Sequence, residues 1–268
     1  MPFDVAADVI ENRSLGGGYF MTTLKAPEIA EASAPGQFVM AGATDPSELL
    51  LRRPFSVCLR GKGPSGRHDT VTLLYRVVGR GTTFLSRLAP GSRAALLGPL
   101  GKGFSRPRAG ETPVIAAGGV GIAAFPFLIE ALAGWGLQAV LFYGGRTASD
   151  LPLVDWLRAR VPRNEITTDD GSVGERALVT EPLDRYLAAA SSPQRVYACG
   201  PHAMMKATAQ IAAARGAACE VALETPMACG YGVCVGCVVE VNRFDGEYGR
   251  FRRVCTDGPV FDASEIVW

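Results

Sequence analysis

Three cysteines near the C-terminus, Cys229, Cys234 and Cys237, follow a Cys-x4-Cys-x2-Cys spacing, and Cys255 comes after seventeen further residues. This run constrains the chain more than any other stretch. The spacing matches the plant-type ligation of a [2Fe–2S] cluster, in which four thiolates hold two irons. Gly230, Gly232 and Gly236 let the intervening loop curl tightly and aim its backbone N–H groups at sulfur. A structural zinc site and a pair of disulfides are the competing readings. Zinc sites usually come as paired Cys-x2-Cys knuckles, which the four-residue gap fits poorly. Disulfides are disfavoured because the N-terminal MPFDVAADVIENRS lacks the basic and apolar regions of a secretion signal. A cluster carries one electron at a time, so the other residues must deliver electrons to it or draw them off.

The chain has 268 residues, enough for two ordinary domains or three small ones. Hydrophobic residues make up 48% of it, and 27 basic against 26 acidic side chains leave a net charge of +1. That balance argues against a nucleic-acid face or a polybasic membrane patch. The uncharged stretch from Thr112 to Ile129 is long enough for a membrane span, but it contains Gly118-Gly119-Val120-Gly121 and Pro126. A strand, a turn and a helix start explain it better. The expectation is a cytoplasmic protein in a reducing compartment, with Cys58, Cys199 and Cys219 left over from the cluster.

From Phe3 to Leu97 the pattern is short strands: Phe3–Asn12, Tyr19–Lys25, Gln37–Ala41, Phe55–Leu59, Thr70–Val78 and Arg93–Leu97. Turn signals separate them, which predicts a closed antiparallel barrel. Two stretches in it suit a flavin. In Arg53-Pro54-Phe55-Ser56, arginine can pair with pyrophosphate, the aromatic ring can pack on a flat ring system, and the serine can hydrogen-bond near a reactive edge. An ordinary arginine-flanked strand would read the same. Leu74-Tyr75-Arg76 leads to Gly81-Thr82, where a helix start offers N–H groups to phosphate, or is simply a capped helix.

The segment from Ser105 to Thr112 reads as a linker. Beyond it, strands Pro113–Ala117, Leu137–Tyr143 and Val196–Ala198 alternate with helices at about Ala123–Leu132, Leu151–Arg160 and Met204–Arg215. Such alternation means a parallel sheet covered on both faces, with ligands beyond the carboxyl ends of its strands. Gly118, Gly119 and Gly121 stand where a nucleotide pyrophosphate would meet a helix start, and Cys199-Gly200-Pro201 follows another strand at the same edge. Cys199 is either a buried small hydrophobe or part of a redox site. Arg146 could meet an adenosine 2′-phosphate or solvate a loop, which leaves NAD against NADP open. A nicotinamide exchanges two electrons at once and a cluster one, so the two together require a flavin between them.

The expected architecture is multidomain β plus α/β, in three parts. Residues 1–104 are expected to form a flavin-binding antiparallel β-barrel (FAD-binding, by the resemblance given next), 105–223 a parallel-sheet nicotinamide-nucleotide domain (NAD-binding, by the same resemblance), and 224–268 a small [2Fe–2S] domain. Over nearly its whole length the chain resembles the electron-transfer subunits of NAD-dependent dihydroorotate dehydrogenase, in the ferredoxin–NADP reductase superfamily. The resemblance rests on PGQFVM, RRPFSV, LLYRVVGRGT, LGPLGKGF, GGVGIA, TTDDGSVGERALVT, VYACGPHAMMKA, MACGYGVCVGC and RVCTDGPVF, in that order.

The resemblance implies FAD on Arg53 to Ser56, Leu74 to Arg76 and Gly81-Thr82, and a cluster on Cys229, Cys234, Cys237 and Cys255. It implies NAD at Gly118 to Gly121 and at Cys199, Gly200 and Pro201, with Cys199 beside the site of hydride transfer. It further implies an FMN-containing dihydroorotate dehydrogenase catalytic subunit as partner in a heterotetramer that exchanges electrons with NAD(H) in pyrimidine biosynthesis. Two departures stand out: Ala124 replaces a proline that is displaced to Pro126, and Glu224-Thr225-Pro226 carries less charge than usual.

No nucleophile–base pair or substrate-type carboxylate cluster occurs, and the only histidines are His68, in a Gly-rich loop, and His202, at a helix start. Val238–Val241 and Arg250–Val254 should form a hairpin that returns Cys255 to the loop, with Arg243, Arg250, Arg252 and Arg253 solvated along it. Trp268 is expected in core packing. Two other readings remain open. One is a flavin/iron–sulfur reductase component of a hydrogenase, sulfur reductase or oxygenase; the other is a non-catalytic redox sensor.

Overall fold

The computed structural model describes all 268 residues. The first hundred form β1 (Phe3–Gly16), β2 (Tyr19–Lys25), α1 (Pro27–Ala32), β3 (Phe38–Gly42), β4 (Arg53–Ser56), β5 (Leu59–Lys62), β6 (His68–Arg76), α2 (Arg80–Ser86) and β7 (Arg93–Leu100). The strands make one antiparallel sheet in the order β4-β3-β7-β1-β2-β6-β5. Its two end strands are consecutive in the chain. Between them Val57 N–H donates to Gln37 O at 3.0 Å, and Cys58 N–H to Thr72 O at 2.9 Å. The chain therefore crosses from one edge of the sheet to the other at Val57-Cys58 and curls it into a barrel. The expected single strand Phe55–Leu59 is two strands about this bend. Leu24, Val39, Val57, Leu73 and Leu96 fill the interior, and Ile29 of α1, a helix the pattern had not indicated, plugs it.

The second half runs β8 (Thr112–Gly118), α3 (Pro126–Gly134), β9 (Val140–Gly145), α4 (Val154–Arg160), β10 (Arg163–Thr168), β11 (Glu175–Arg176), α5 (Thr180–Ala189), β12 (Gln194–Cys199), α6 (His202–Ala214) and β13 (Ala218–Ala222). Then come β14 (Val238–Glu240), β15 (Phe251–Arg253) and β16 (Val260–Asp262). The second sheet has the order β11-β10-β9-β8-β12-β13-β16, parallel except for β16. Strand alternation sends Val114 and Ala116 to the face covered by α5 and α6, and Ile115 and Ala117 to the face covered by α3 and α4. The strand order reverses between β8 and β12, which opens a crevice at their carboxyl ends.

Local chemistry adjusts the helix boundaries. A 3-10 turn occupies Gly119–Ala124, and α3 begins at Pro126, where a missing N–H costs nothing. The displaced proline is thus a helix start. Another 3-10 turn, Ala148–Asp150, precedes α4. His68 is not in the loop but opens β6, half-buried. No helix is long and apolar enough to cross a membrane.

The chain leaves the second sheet after β13 and returns to it as β16, with Ala222 paired to Val260. The excursion carries the four cysteines and the two-stranded β14–β15 hairpin. It touches the barrel where Lys102 N–H donates to Gly258 O. The linker is fixed as well. Arg195 Nε lies 2.6 Å from Glu111 Oε2, its Nη1 lies 3.1 Å from Glu220 Oε1, and Tyr197 Oη donates to Ser105 O at 2.8 Å.

Candidate functional site

Two clefts meet at the crevice. The first, about 570 Å³, lies between the barrel, the β12 turn and the segment Thr225 to Met227. Arg53, Pro54, Phe55, Ser56, Leu74, Tyr75, Arg76, Gly81, Thr82 and Cys199 all border it. The sequence residues assigned to flavin therefore gather in one place with Cys199. Gly81 is required there, because a Cβ would stand 2.8 Å from Arg53 Cγ, and the Arg53 side chain lies across the start of α2. Arg53 Nη1 donates to Leu51 O at 2.7 Å. Phe55 is turned into the barrel core, its ring 5.4 Å from that of Tyr75, so it supports the cleft wall from within. Thr82 Oγ1 accepts from Val78 and Gly79 N–H at 2.9 and 3.1 Å, which fixes the turn into α2.

The second cleft, about 600 Å³, is bordered by Gly118, Gly119, Gly121, Gly200, Pro201 and Arg76 among others. Its two glycine turns touch backbone to backbone. A Cβ on Gly121 would fall 2.4 Å from Cys199 O, and one on Gly118 would fall 2.7 Å from Pro201 Cδ. Gly121→Ala is therefore expected to push the turns apart, costing about 1–3 kcal/mol of stability. It should also weaken nicotinamide nucleotide binding at least roughly tenfold. Thermal melting and nucleotide titration read the two effects.

Cys199 is 2% exposed, and burial, with Glu224 nearby, pushes its thiol well above the ordinary range. It is a neutral thiol at the wall of the first cleft. Glu224 borders both clefts. Arg76 also borders both. Its Nη1 lies 3.0 Å from Asp150 Oδ1, and its guanidinium stacks on the Tyr19 ring at 5.4 Å. Pattern reading noted Glu224 only as part of a less charged segment and gave Asp150 no role, since a single carboxylate in a short turn looks solvated.

The cysteines fall into two pairs. Cys229 Sγ and Cys234 Sγ are 3.3 Å apart. Val254 N–H donates to Cys237 O at 2.9 Å across the hairpin, which sets Cys255 beside Cys237. Burial opposes ionisation of Cys229, but N–H groups of Cys234, Tyr231 and Val233 outweigh it and lower the thiol to about 6. Gly230 and Gly232 have φ of +80° and +93°, and a Cβ on Gly230 would collide with Met40 Cγ at 2.4 Å. No three ligand-type side chains converge on a single metal position. Two sulfur pairs and inward N–H groups suit a two-iron cluster, in which each iron takes two thiolates, better than one zinc.

Other expectations resolve simply. The hairpin forms with Val238 opposite Arg253. Its arginines are paired: Arg243 with Glu265 at 2.7 Å, Arg250 with Glu240 at 3.0 Å, Arg252 with Asp245, and Arg253 with Glu247 at 3.4 Å. Trp268 packs edge-on against His202 with ring centroids 5.4 Å apart, and its indole N–H donates to Ala263 O at 3.2 Å. Trp268 is thus a packing residue away from the first cleft, and it engages His202.

A barrel, a doubly wound sheet and a four-cysteine lobe that converge on adjoining clefts define an oxidoreductase of the ferredoxin-reductase fold. Residues 115–210 match the oxidoreductase NAD-binding domain, and 224–267 match the iron–sulfur cluster binding domain of dihydroorotate dehydrogenase B. The dihydroorotate dehydrogenase B (NAD(+)) electron transfer subunit of Desulforamulus reducens is 36% identical over 93% of this chain and 92% of its own length. The homologue of that subunit in Aquifex aeolicus is 35% identical over 98% of both chains. Among solved structures, an NADH-dependent reduced ferredoxin–NADP oxidoreductase, studied for flavin-based electron bifurcation, superposes with a TM-score of 0.84. It is 27% identical, over 98% of this chain and 90% of that one. The chain belongs to the family of electron transfer subunits of NAD+-dependent dihydroorotate dehydrogenase B.

Proposed function

We propose that this chain passes electrons between a separate FMN-bearing subunit, which oxidises dihydroorotate, and NAD+. The observation that carries the reading is the first cleft. It is walled at once by the Arg53–Ser56 strand, by Cys199 of the second sheet, and by Thr225 to Met227, two residues before the first cluster cysteine. In this reading Arg53 to Ser56, Leu74 to Arg76, Gly81 and Thr82 hold FAD. Gly118, Gly119, Gly121, Gly200 and Pro201 hold NAD, and Cys229, Cys234, Cys237 and Cys255 hold the [2Fe–2S] cluster. When bound, the cluster supplies one-electron exchange and the flavin supplies conversion between single electrons and hydride.

The chain's own residues prepare the place. Arg53, fixed by the Leu51 carbonyl, offers a charge for pyrophosphate. Cys199 stands at the junction as a buried, uncharged thiol. The short path from cluster loop to flavin wall follows from Met40, which touches Gly230 and sits opposite Pro54 in the β3–β4 ladder. Functionally the units are 1–104 for FAD, 105–223 for NAD and 224–268 for the cluster. The partner is the FMN-containing catalytic subunit, in a heterotetramer.

The test is reconstitution. Flavin-loaded protein should reduce ferricyanide with NADH, and a tagged copy expressed in its source cell should retain an FMN protein that oxidises dihydroorotate. Recovery of a different dehydrogenase would favour the second reading, a reductase component for another oxidoreductase. The likeness to the ferredoxin–NADP oxidoreductase supports that alternative.

A further inference from the structure

The two clefts belong mainly to different halves of the chain. The first is walled mostly by the barrel, and the second mostly by the carboxyl ends of the parallel strands. A group held in one therefore meets a group held in the other only as well as the two halves are seated. That seating has a single charged tie. Arg76 ends β6 of the barrel, and its Nη1 donates to Oδ1 of Asp150 at 3.0 Å. Of all the ion pairs in the molecule, this one alone joins residues 1–104 to the rest. Arg76 borders both clefts and Asp150 the second.

Asp150 is built into the boundary. Its side chain is 10% exposed, and its carbonyl accepts from Tyr19 Oη of the barrel at 3.4 Å. Thr147 Oγ1 donates to its Oδ2 at 3.4 Å. Arg146 Nε also approaches Oδ2, at 3.5 Å, but that side chain is 73% exposed, so Arg76 is the cation that holds the carboxylate. The neighbouring backbone abuts the barrel: a Cβ on Gly17, in the exposed β1–β2 turn, would stand 2.7 Å from Ser149 O. A Cβ on Gly119, in the glycine turn of the second cleft, would stand 3.9 Å from Asp150 O. The turn that carries Asp150 is thus wedged between the barrel and the glycine turn.

A buried carboxylate is stable only with its cation in place, and a charge-assisted hydrogen bond fixes direction as well as distance. Hydride transfer needs the reacting atoms about 3–3.5 Å apart, and a misplacement of about 1 Å costs about a hundredfold in rate. We propose that Asp150 is a positioning residue: through Arg76 it seats the parallel sheet on the barrel, so that a nicotinamide from the second cleft reaches a flavin in the first. This rests on the reading that the clefts take FAD and NAD(H). In the step concerned, one hydride with its two electrons leaves NADH and enters FAD.

The test separates seating from binding. ADP-ribose lacks the nicotinamide, so its calorimetric affinity for the FAD-loaded full chain reports the second cleft alone. Seating is read by the long-wavelength absorbance of nicotinamide stacked on flavin, and by the rate at which saturating NADH reduces the bound FAD in a single turnover. Asp150→Asn should bind ADP-ribose within about threefold of wild type, while the absorbance fades and the rate falls at least about tenfold. Gly17→Ala leaves Asp150 intact and wedges the same boundary from the barrel side, and it should show the same split. A parallel loss of ADP-ribose affinity in Asp150→Asn, or a wild-type rate and absorbance in both variants, overturns the proposal. A wild-type chain that binds ADP-ribose but whose flavin is not reduced by NADH overturns the electron-transfer reading, and this assignment with it.

Discussion

Serine in place of Cys255 is expected to abolish the visible absorbance and paramagnetic signal of the cluster. Electron delivery between dihydroorotate and NAD+ should fall by at least about a hundredfold. Cys255 is 1% exposed and set beside Cys237 by the hairpin, so a serine there stays in the ligand position with a poorer donor atom. NADH-to-ferricyanide activity through the flavin should survive, because the first cleft keeps every residue of the barrel. The split separates the two halves of the proposal. If Cys255→Ser still holds two irons and two sulfides per chain and transfers electrons at the native rate, the four-cysteine ligand set is wrong.

Arg195→Ala is expected to cost about 3 kcal/mol, because it removes the cation paired with Glu111 and Glu220 and leaves these largely covered carboxylates only the Arg108 N–H and Ser105 as partners. Their side chains are only 11% and 13% exposed. The loss is pH-dependent, with a defined sign. Burial alone would raise the Glu111 carboxyl, but the Arg195 hydrogen bond and the Arg108 N–H outweigh it and hold the folded value below the usual one. The stabilisation is therefore fully present above the unfolded value of about 4.3. It is lost as pH falls through the lower folded value. Denaturant titrations at pH 7 and at progressively lower pH should show the wild-type advantage shrinking on acidification. A variant as stable as wild type at pH 7 would remove the network from the account of how the linker is held.

The cluster domain was legible because the thiol spacing is distinctive, and residues 224–267 match an iron–sulfur cluster binding domain. The turns at Gly118 and Gly200 were legible because close backbone approach admits no Cβ. The bend at Val57-Cys58 was not, since neither glycine nor proline punctuates it and the hydrogen bonds that define it come from distant strands. Short strands such as β13 and β16 gain their partners only from the sheet, so their local pattern carries little signal. α1 contributes only Ile29 and Ala30 to the core, too few for a visible period. Asp150 became meaningful only when separate strand ends were brought to one crevice.

The iron-bearing excursion is mounted at both ends. It departs from β13 and comes back on the neighbouring rung, Ala222 against Val260, so both of its ends are anchored in one ladder. Many redox chains ferry electrons by letting a carrier domain shuttle between docking positions. Here the gap to be tunnelled is set once, by folding, and the intramolecular transfer rate should stay constant as the medium is thickened with glycerol or sucrose.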